Sequence, residues 1–423
     1  IIPANSAADT GYEVANSCRF ETNAYMGRTP GTASGDGTKA TFSCWIKPSF
    51  IPGSDTALLT IRNSSTTSMF NIGWSGGGLW VGVLDSASYA GSVSTTRVYR
   101  DQSAWMNICV TYDTTQATST DRIKIYINGT RETALTYTTF PSEDHANGAL
   151  TATTGYTQQL CSYTFGGGSY FYGYIAEAVF CEGQALAATS FGEFDSDSPT
   201  IWKPIDVSEL TFGDQGFYLD FEDSDNLGDD ESGNTNDFTE YNLAATDQAT
   251  DTPTNNFCVI NPLAGDNDEN TLSEGNCKIV STSTYSSMGG TFGLSAGKWY
   301  WEAKLTASNT QQIGIMDVDK LFTRLDKTPG AAGSNGFIYL TTGNVYNNDS
   351  QLLTGLTSST TNDIISVALD ITNLKIYWYK NDSLLNSGGT DITTGLTWFP
   401  ITGAGGGSDR INQECNFGGC SAF

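Results

Sequence analysis

The chain is short of histidine and of positive charge. His145 is the one histidine among 423 residues, so a Ser-His-Asp triad lacks a supported base and a histidine-rich metal site is excluded. Lysine and arginine number 20 against 46 acidic residues, a formal charge of -26. Such a balance cannot neutralise a phosphate backbone, and nucleic acid is set aside as a partner. No apolar run approaches the ~20 residues that cross a bilayer as a helix, so no membrane insertion is expected. The opening IIPANSAADTGYEV lacks the charged and apolar regions of a signal peptide; because the chain starts at Ile1 without Met, a removed leader and secretion stay open. The nine cysteines show no CxxC spacing, which argues against a zinc site. Cys44 and Cys109 alternate with apolar residues and are expected as buried free thiols. Cys415 and Cys420 bracket a glycine-containing loop and are expected as a local bridge.

Glycine is abundant at 46 residues, serine, threonine and asparagine are plentiful, and charged residues make up only 16%. That mixture favours turns and strands over long amphipathic helices. Nine Trp, twenty Tyr and twenty-one Phe supply large groups for packing, which excludes wholesale disorder. At roughly 150 residues per domain the length allows two or three domains. The expected fold class is all-β, with two tandem antiparallel β-sandwiches.

Alternation carries this reading. In TFSCWIKP, Phe42, Cys44 and Ile46 share a face; in DRIKIYINGT, Ile123, Ile125 and Ile127 do, and Asn128-Gly129 is a hairpin turn signal. Later, Trp299, Trp301, Ala303 and Leu305 form one face of GKWYWEAKL, and Ile365, Val367 and Leu369 lead through a turn into Ile376 and Trp378. VTYD with IKIYINGT echoes VALD with LKIYWYKND; the echo fits two sandwiches of similar strand order or a shared hairpin need. Helix candidates are confined to GQALAATSF and VDKLFTRL. The expected domains are a sandwich over 1–195, an acidic Asp/Asn/Thr-rich connector over 196–254, and a second sandwich over 255–423. Phe217, Leu219 and Phe221 alternate inside the connector, so part of it is expected to add a strand to one sandwich.

Two kinds of site are legible. Asp220, Asp223, Asp225, Asp229 and Asp230 gather the hard oxygen ligands that Ca2+ selects, although their spacing is not that of an EF-hand. The competing reading is a solvated acidic loop. Trp74 and Trp80 in NIGWSGGGLW, and Tyr170 and Tyr172 in GGGSYFYGY, stand beside glycines and either stack on sugar rings or pack in the core. No pair of carboxylates at glycosidase spacing is evident, and no catalytic residue is assigned.

Four segments in order, TFSCWIKP at Thr41, WMNICVTYD at Trp105, IKIYINGT at Ile123 and YGYIAEAVFCEGQAL at Tyr172, resemble the laminin-G and pentraxin-like branch of the concanavalin A-like sandwiches. Laminin-G modules often hold Ca2+ at the sandwich rim, which implies Asp113 of VTYD as a further ligand. GKWYWEAKL, QIGIMDV, DIISVALD, IYWYKND, WFPITG and the terminal CNFGG resemble a SPRY domain. The opening residues and the acidic segment resemble stretches of virion proteins of marine tailed phages. The resemblance implies a non-enzymatic virion structural protein at the particle surface, a tail, fibre or capsid-decorating component that forms a homo-oligomer. Its expected partners are other virion proteins and host surface glycans. A secreted cell-surface adhesin is the alternative.

Overall fold

The computed structural model describes residues 11–31, 35–50, 56–151, 155–164, 168–265, 270–282, 284, 286–321, 329, 333–405, 409–419 and 423. The chain divides into two compact units, the first ending at Asn256 and the second running from Phe257 to Phe423.

The first unit is built on two antiparallel eight-stranded sheets. One sheet runs Thr130–Arg131, Ile123–Ile127, Met106–Asp113, Lys39–Pro48, Gly173–Glu182, Ser17–Phe20 and Gln248–Ala249 in spatial order, with Phe217–Leu219 also paired to Gly173–Glu182. The other runs Leu135–Thr139, Ser88–Val98, Gly78–Asp85, Met69–Ser75, Thr56–Asn63, Tyr156–Leu160, Tyr25–Arg28 and Thr239–Tyr241. Period-two alternation points Phe42, Cys44 and Ile46 from the first sheet at Phe70, Ile72, Val81 and Val83 from the second, and all are buried in one continuous core. Each such aliphatic or Phe side chain contributes about 1.5–3 kcal/mol by leaving water. Asn128 and Gly129 take positive φ and close the hairpin that pairs Ile127 with Thr130.

The stretch 196–254 is no free connector. Its alternating Phe217 and Leu219 pair with Phe180 and Ala178, Tyr241 pairs with Tyr25, and Ala249 with Ser17, so the acidic segment supplies strands to both sheets of the first unit. Lys47 reaches from the first sheet to Asp251 near the end of this segment, Nζ to Oδ2 at 2.6 Å, with both side chains about 1% exposed. Trp105 Nε1 donates to the other oxygen of Asp251 at 2.8 Å, and Lys47 also donates to Asn256.

Two further antiparallel sheets, of seven and eight strands, make the second unit. Trp301, Ala303 and Leu305 face a core shared with Ile365, Val367, Leu369, Ile376 and Trp378. Among the described residues helix is confined to short turns, including Val318–Leu321 within one candidate segment and Ala188–Ser190 within the other.

Cys18, Cys44, Cys109, Cys161, Cys181, Cys258 and Cys415 are free and buried. Burial pushes the Cys109, Cys181 and Cys415 thiols up to about 12. Cys415 therefore does not form the local bridge expected of it: its strand, Asn412–Asn416, pairs it with Ala303 and packs it into the second core. Cys420 lies outside the described residues, and Cys277 is disulfide-bonded.

Candidate functional site: an aromatic face on the first sandwich

Trp74 and Trp80 belong to adjacent strands in a register that pairs Trp74 with Leu79 and Gly73 with Trp80. That register sends the two rings to opposite faces of the sheet. Trp74 joins Phe70 and Ile72 in the core, 1% exposed, and stacks on Phe171 with centroids 5.6 Å apart. It is a packing residue and cannot meet a sugar. Trp80 lies on the outer face, where its ring covers Gly82 and its Nε1 donates to Ser92 Oγ at 3.0 Å. A Cβ at position 82 would stand 2.3 Å from that ring. Gly82→Ala is thus expected to lift Trp80 off the sheet and cost about 1–3 kcal/mol by overpacking, read as a fall in denaturation midpoint with a red shift of tryptophan emission.

Trp80 is the floor of a small cluster. Tyr89, half exposed, meets it edge-on at 5.9 Å, and Tyr163 tilts against it at 6.4 Å. Arg62, on the same outer face, places its guanidinium carbon 5.8 Å from the Tyr163 ring centroid. Burial pulls the Arg62 pKa down from its ordinary value, against the favourable influence of Tyr163 and Tyr89.

A second cluster occupies the far end of the same face. Tyr25 and Tyr241 are brought opposite one another by strand register and stack at 4.3 Å with planes 2° apart. Gly27 lies between the rings and the sheet: a Cβ there would stand 3.5 Å from Tyr25 and 3.6 Å from Tyr241. Tyr170 tilts on Tyr25 at 5.9 Å. Tyr172 meets the exposed Phe50 edge-on at 6.2 Å, and its hydroxyl is raised by burial, by the Glu21 charge and by Tyr170. Tyr170 and Tyr172 are both only half buried. The outer face therefore carries Tyr89, Trp80 and Tyr163 at one end and Tyr170, Tyr25 and Tyr241 at the other. Flat apolar rings beside carboxylate and amide groups are what a sugar's apolar face and hydroxyls require. Of the four aromatics expected from sequence, Tyr170 stands at this surface, Tyr172 packs on Phe50, Trp80 underlies the surface and Trp74 does not reach it. Tyr25, Tyr241, Tyr163, Tyr89 and Phe50 carried no sequence signal, because only strand pairing assembles them.

The acidic residues are differently disposed. Asp113 accepts from Thr115 N and Oγ1 at 3.2 and 2.6 Å and from Gln116 Nε2 at 2.7 Å. Burial alone would raise its pKa, but these bonds outweigh it and hold the carboxyl below its ordinary value. Asp230 accepts from Tyr218 N, Ser232 N, Ser232 Oγ and Asn236 N, so both its oxygens serve the local chain. Asp220 and Asp223 each close a turn onto the backbone two residues ahead. Asp225 is exposed and Asp229 half buried. Burial, reinforced by Asp229 and Asp223, raises the Asp220 pKa. Among the described residues no three His, Cys, Asp or Glu side chains are grouped to hold a metal ion.

One perturbed carboxyl was not foreseen. Glu177 occupies a bulge in Gly173–Glu182, between Ala176 and Val179, with φ of 51°. The bulge turns its carboxylate to the hydroxyls of Tyr12 and Tyr218, which donate at 2.9 and 3.0 Å. It lies in the first sheet, away from the aromatic face of the second.

The two packed-sheet units are two domains, the first bearing on its outer face Tyr89 and Tyr241 exposed above the buried Trp80 and Tyr25. Residues 21–188 match the concanavalin A-like lectin/glucanases superfamily and residues 298–409 match the SPRY domain, so the chain carries a concanavalin A-like domain followed by a SPRY domain. Both are binding folds, which fits a carbohydrate- or protein-binding role. Among solved structures the chain is similar to the SPRY domain of human HERC1, at 17% identity over 38% of this chain and 98% of that one, TM-score 0.32. It is also similar to stonustoxin, at 20% identity over 38% of this chain and 26% of that one, TM-score 0.31. A third similar structure is the native heptameric SAP-like pentraxin from Limulus polyphemus, at 14% identity over 42% and 80% of the two chains, TM-score 0.30. No curated protein sequence matches the chain at a significant level.

Proposed function

We propose that this chain is a non-enzymatic glycan-recognition protein displayed on the outside of a tailed-phage particle, where it assembles as a homo-oligomer with other virion proteins. The aromatic face carries the recognition part: stacked Tyr25 and Tyr241 with Tyr170 at one end and Trp80 with Tyr163 and Tyr89 at the other. The resemblance of the opening residues and the acidic segment to phage virion proteins supports the setting. The strongly acidic composition agrees with it, because it disfavours nucleic acid and leaves surface ligands as the natural partners.

Tyr25→Ala and Tyr170→Ala are each expected to weaken glycan binding about fivefold, since an aromatic contact adds on the order of 1 kcal/mol beyond its buried area. A broad glycan array followed by titration calorimetry reads this directly. Unchanged affinity in both variants, or no glycan bound by the intact chain, rejects the recognition role. Mass spectrometry and electron microscopy of purified particles test the setting, and recovery of the chain only from cell surfaces or medium would make it an adhesin instead.

A further inference from the structure

We propose that Arg62 is the anion-recognising residue of the aromatic face, and that the sugar it selects carries a sulfate ester or a carboxylate. This rests on the reading of that face as a glycan platform and narrows it to acidic glycans.

Four basic side chains are buried among the described residues: Arg19, Lys47, Arg62 and Arg122. Three have carboxylate partners, Arg19 with Asp247 at 3.0 Å, Lys47 with Asp251 at 2.6 Å and Arg122 with Glu143 at 3.3 Å. Arg62, 6% exposed, has none. Its Nη1 donates to the Tyr163 carbonyl at 3.0 Å and its Nη2 to the Thr66 hydroxyl, both neutral acceptors, while Nε is buried with no acceptor among the described residues. A buried cation left without a counter-charge destabilises a fold. With 46 acidic residues in the chain, the missing partner is not a matter of supply.

The surroundings say what would complete it. Nε and the second proton of Nη2 form the side fork of a guanidinium, which matches two oxygens of one sulfate or carboxylate. Thr66, the acceptor on Nη2, is exposed, so its side chain separates the buried fork from solvent and must swing aside for a ligand to reach it. The Tyr163 ring lies under the guanidinium and Trp80 and Tyr89 continue the apolar surface, so a ring stacked there can direct an acidic substituent at Arg62. Asn71, on the same face, donates through Nδ2 to Thr60 Oγ1 at 2.7 Å, while its buried Oδ1 has no donor.

The test compares a sulfated galactan hexasaccharide, its desulfated counterpart and hexagalacturonate by titration calorimetry in ~0.15 M salt, where exposed charges more than ~8 Å apart are screened. At least one acidic ligand is expected to bind about tenfold more tightly than the neutral one, as a two-bond charged contact implies. Arg62→Met should erase that preference and keep the weaker neutral binding, with Tm unchanged or raised because an unpaired buried charge has gone. Arg62→Lys, which keeps the charge and loses the fork, should retain only part of the preference and covers the case in which the methionine variant misfolds. Equal affinity for all three ligands, or a preference that survives in Arg62→Met, overturns the assignment. If neutral glycans still bind and Tyr25→Ala weakens them, the aromatic platform stands and Arg62 alone falls; if no glycan binds, both fall.

Discussion

Asp251→Ala is expected to destabilise the first unit by about 3–5 kcal/mol, because it strands the Lys47 ammonium in a site closed to water. Lys47 and Asp251 are each about 1% exposed, and the aspartate also accepts from Trp105 Nε1, so one truncation removes the counter-charge and an acceptor together. Against total stabilities of about 5–15 kcal/mol the loss is severe. Urea unfolding followed by tryptophan fluorescence measures it, and a change below about 1 kcal/mol would contradict the account. The double replacement Lys47→Met with Asp251→Leu should recover much of the loss, since apolar groups of similar volume often replace a buried ion pair without penalty. The clasp joins the end of the first unit's chain to its central strands, which is why its failure is expected to loosen the whole unit and not one loop.

Glu177→Gln is expected to act in the opposite direction, with an effect that grows from about pH 4.5 and levels off above about pH 7. Burial pushes the Glu177 carboxyl from 4.5 up to about 7; Asp220 and Glu222 add to the rise, and hydrogen bonds from Tyr12 and Tyr218 oppose it. Between these values the folded chain holds a proton that the unfolded chain has lost. The group's contribution is therefore complete below pH 4.5 and disappears as pH rises through about 7. At pH 8 the wild type carries a buried charge that glutamine lacks, so the variant should be more stable by on the order of 3 kcal/mol. Near pH 4 the two should coincide. Parallel stability profiles from pH 4 to 8 would show that Glu177 does not titrate in this way.

Much of the fold could be read from the chain. The alternation of Phe42, Cys44 and Ile46, of Ile123, Ile125 and Ile127, and of Trp301, Ala303 and Leu305 marks core-facing sides that the structure buries. Asn128-Gly129 marks a hairpin that forms. The acidic segment was harder, because its polar composition masks short strands that are held by pairing partners far away in sequence. Phe217 and Leu219 were the visible trace of it. The candidate site was the least legible part. Trp74 and Trp80 sit in one hairpin with glycines between them, and a shift of parity decides which faces the core and which the outside. Tyr25 and Tyr241 meet only through the pairing of Tyr25–Arg28 with Thr239–Tyr241, so neither is conspicuous in the sequence. The Arg62 environment is more distant still from sequence reasoning, since an unpaired charge is defined by what does not approach it.

The five free cysteines of the first unit, Cys18, Cys44, Cys109, Cys161 and Cys181, are buried and have thiols raised above their ordinary value. An alkylating reagent attacks thiolate, so the native fold withholds both access and the reactive form of the group. Modification must wait for the sandwich to open. The rate at which these sulfurs take up label therefore counts opening events, and the mass of a stored sample keeps a chemical record of how often its molecules have unfolded.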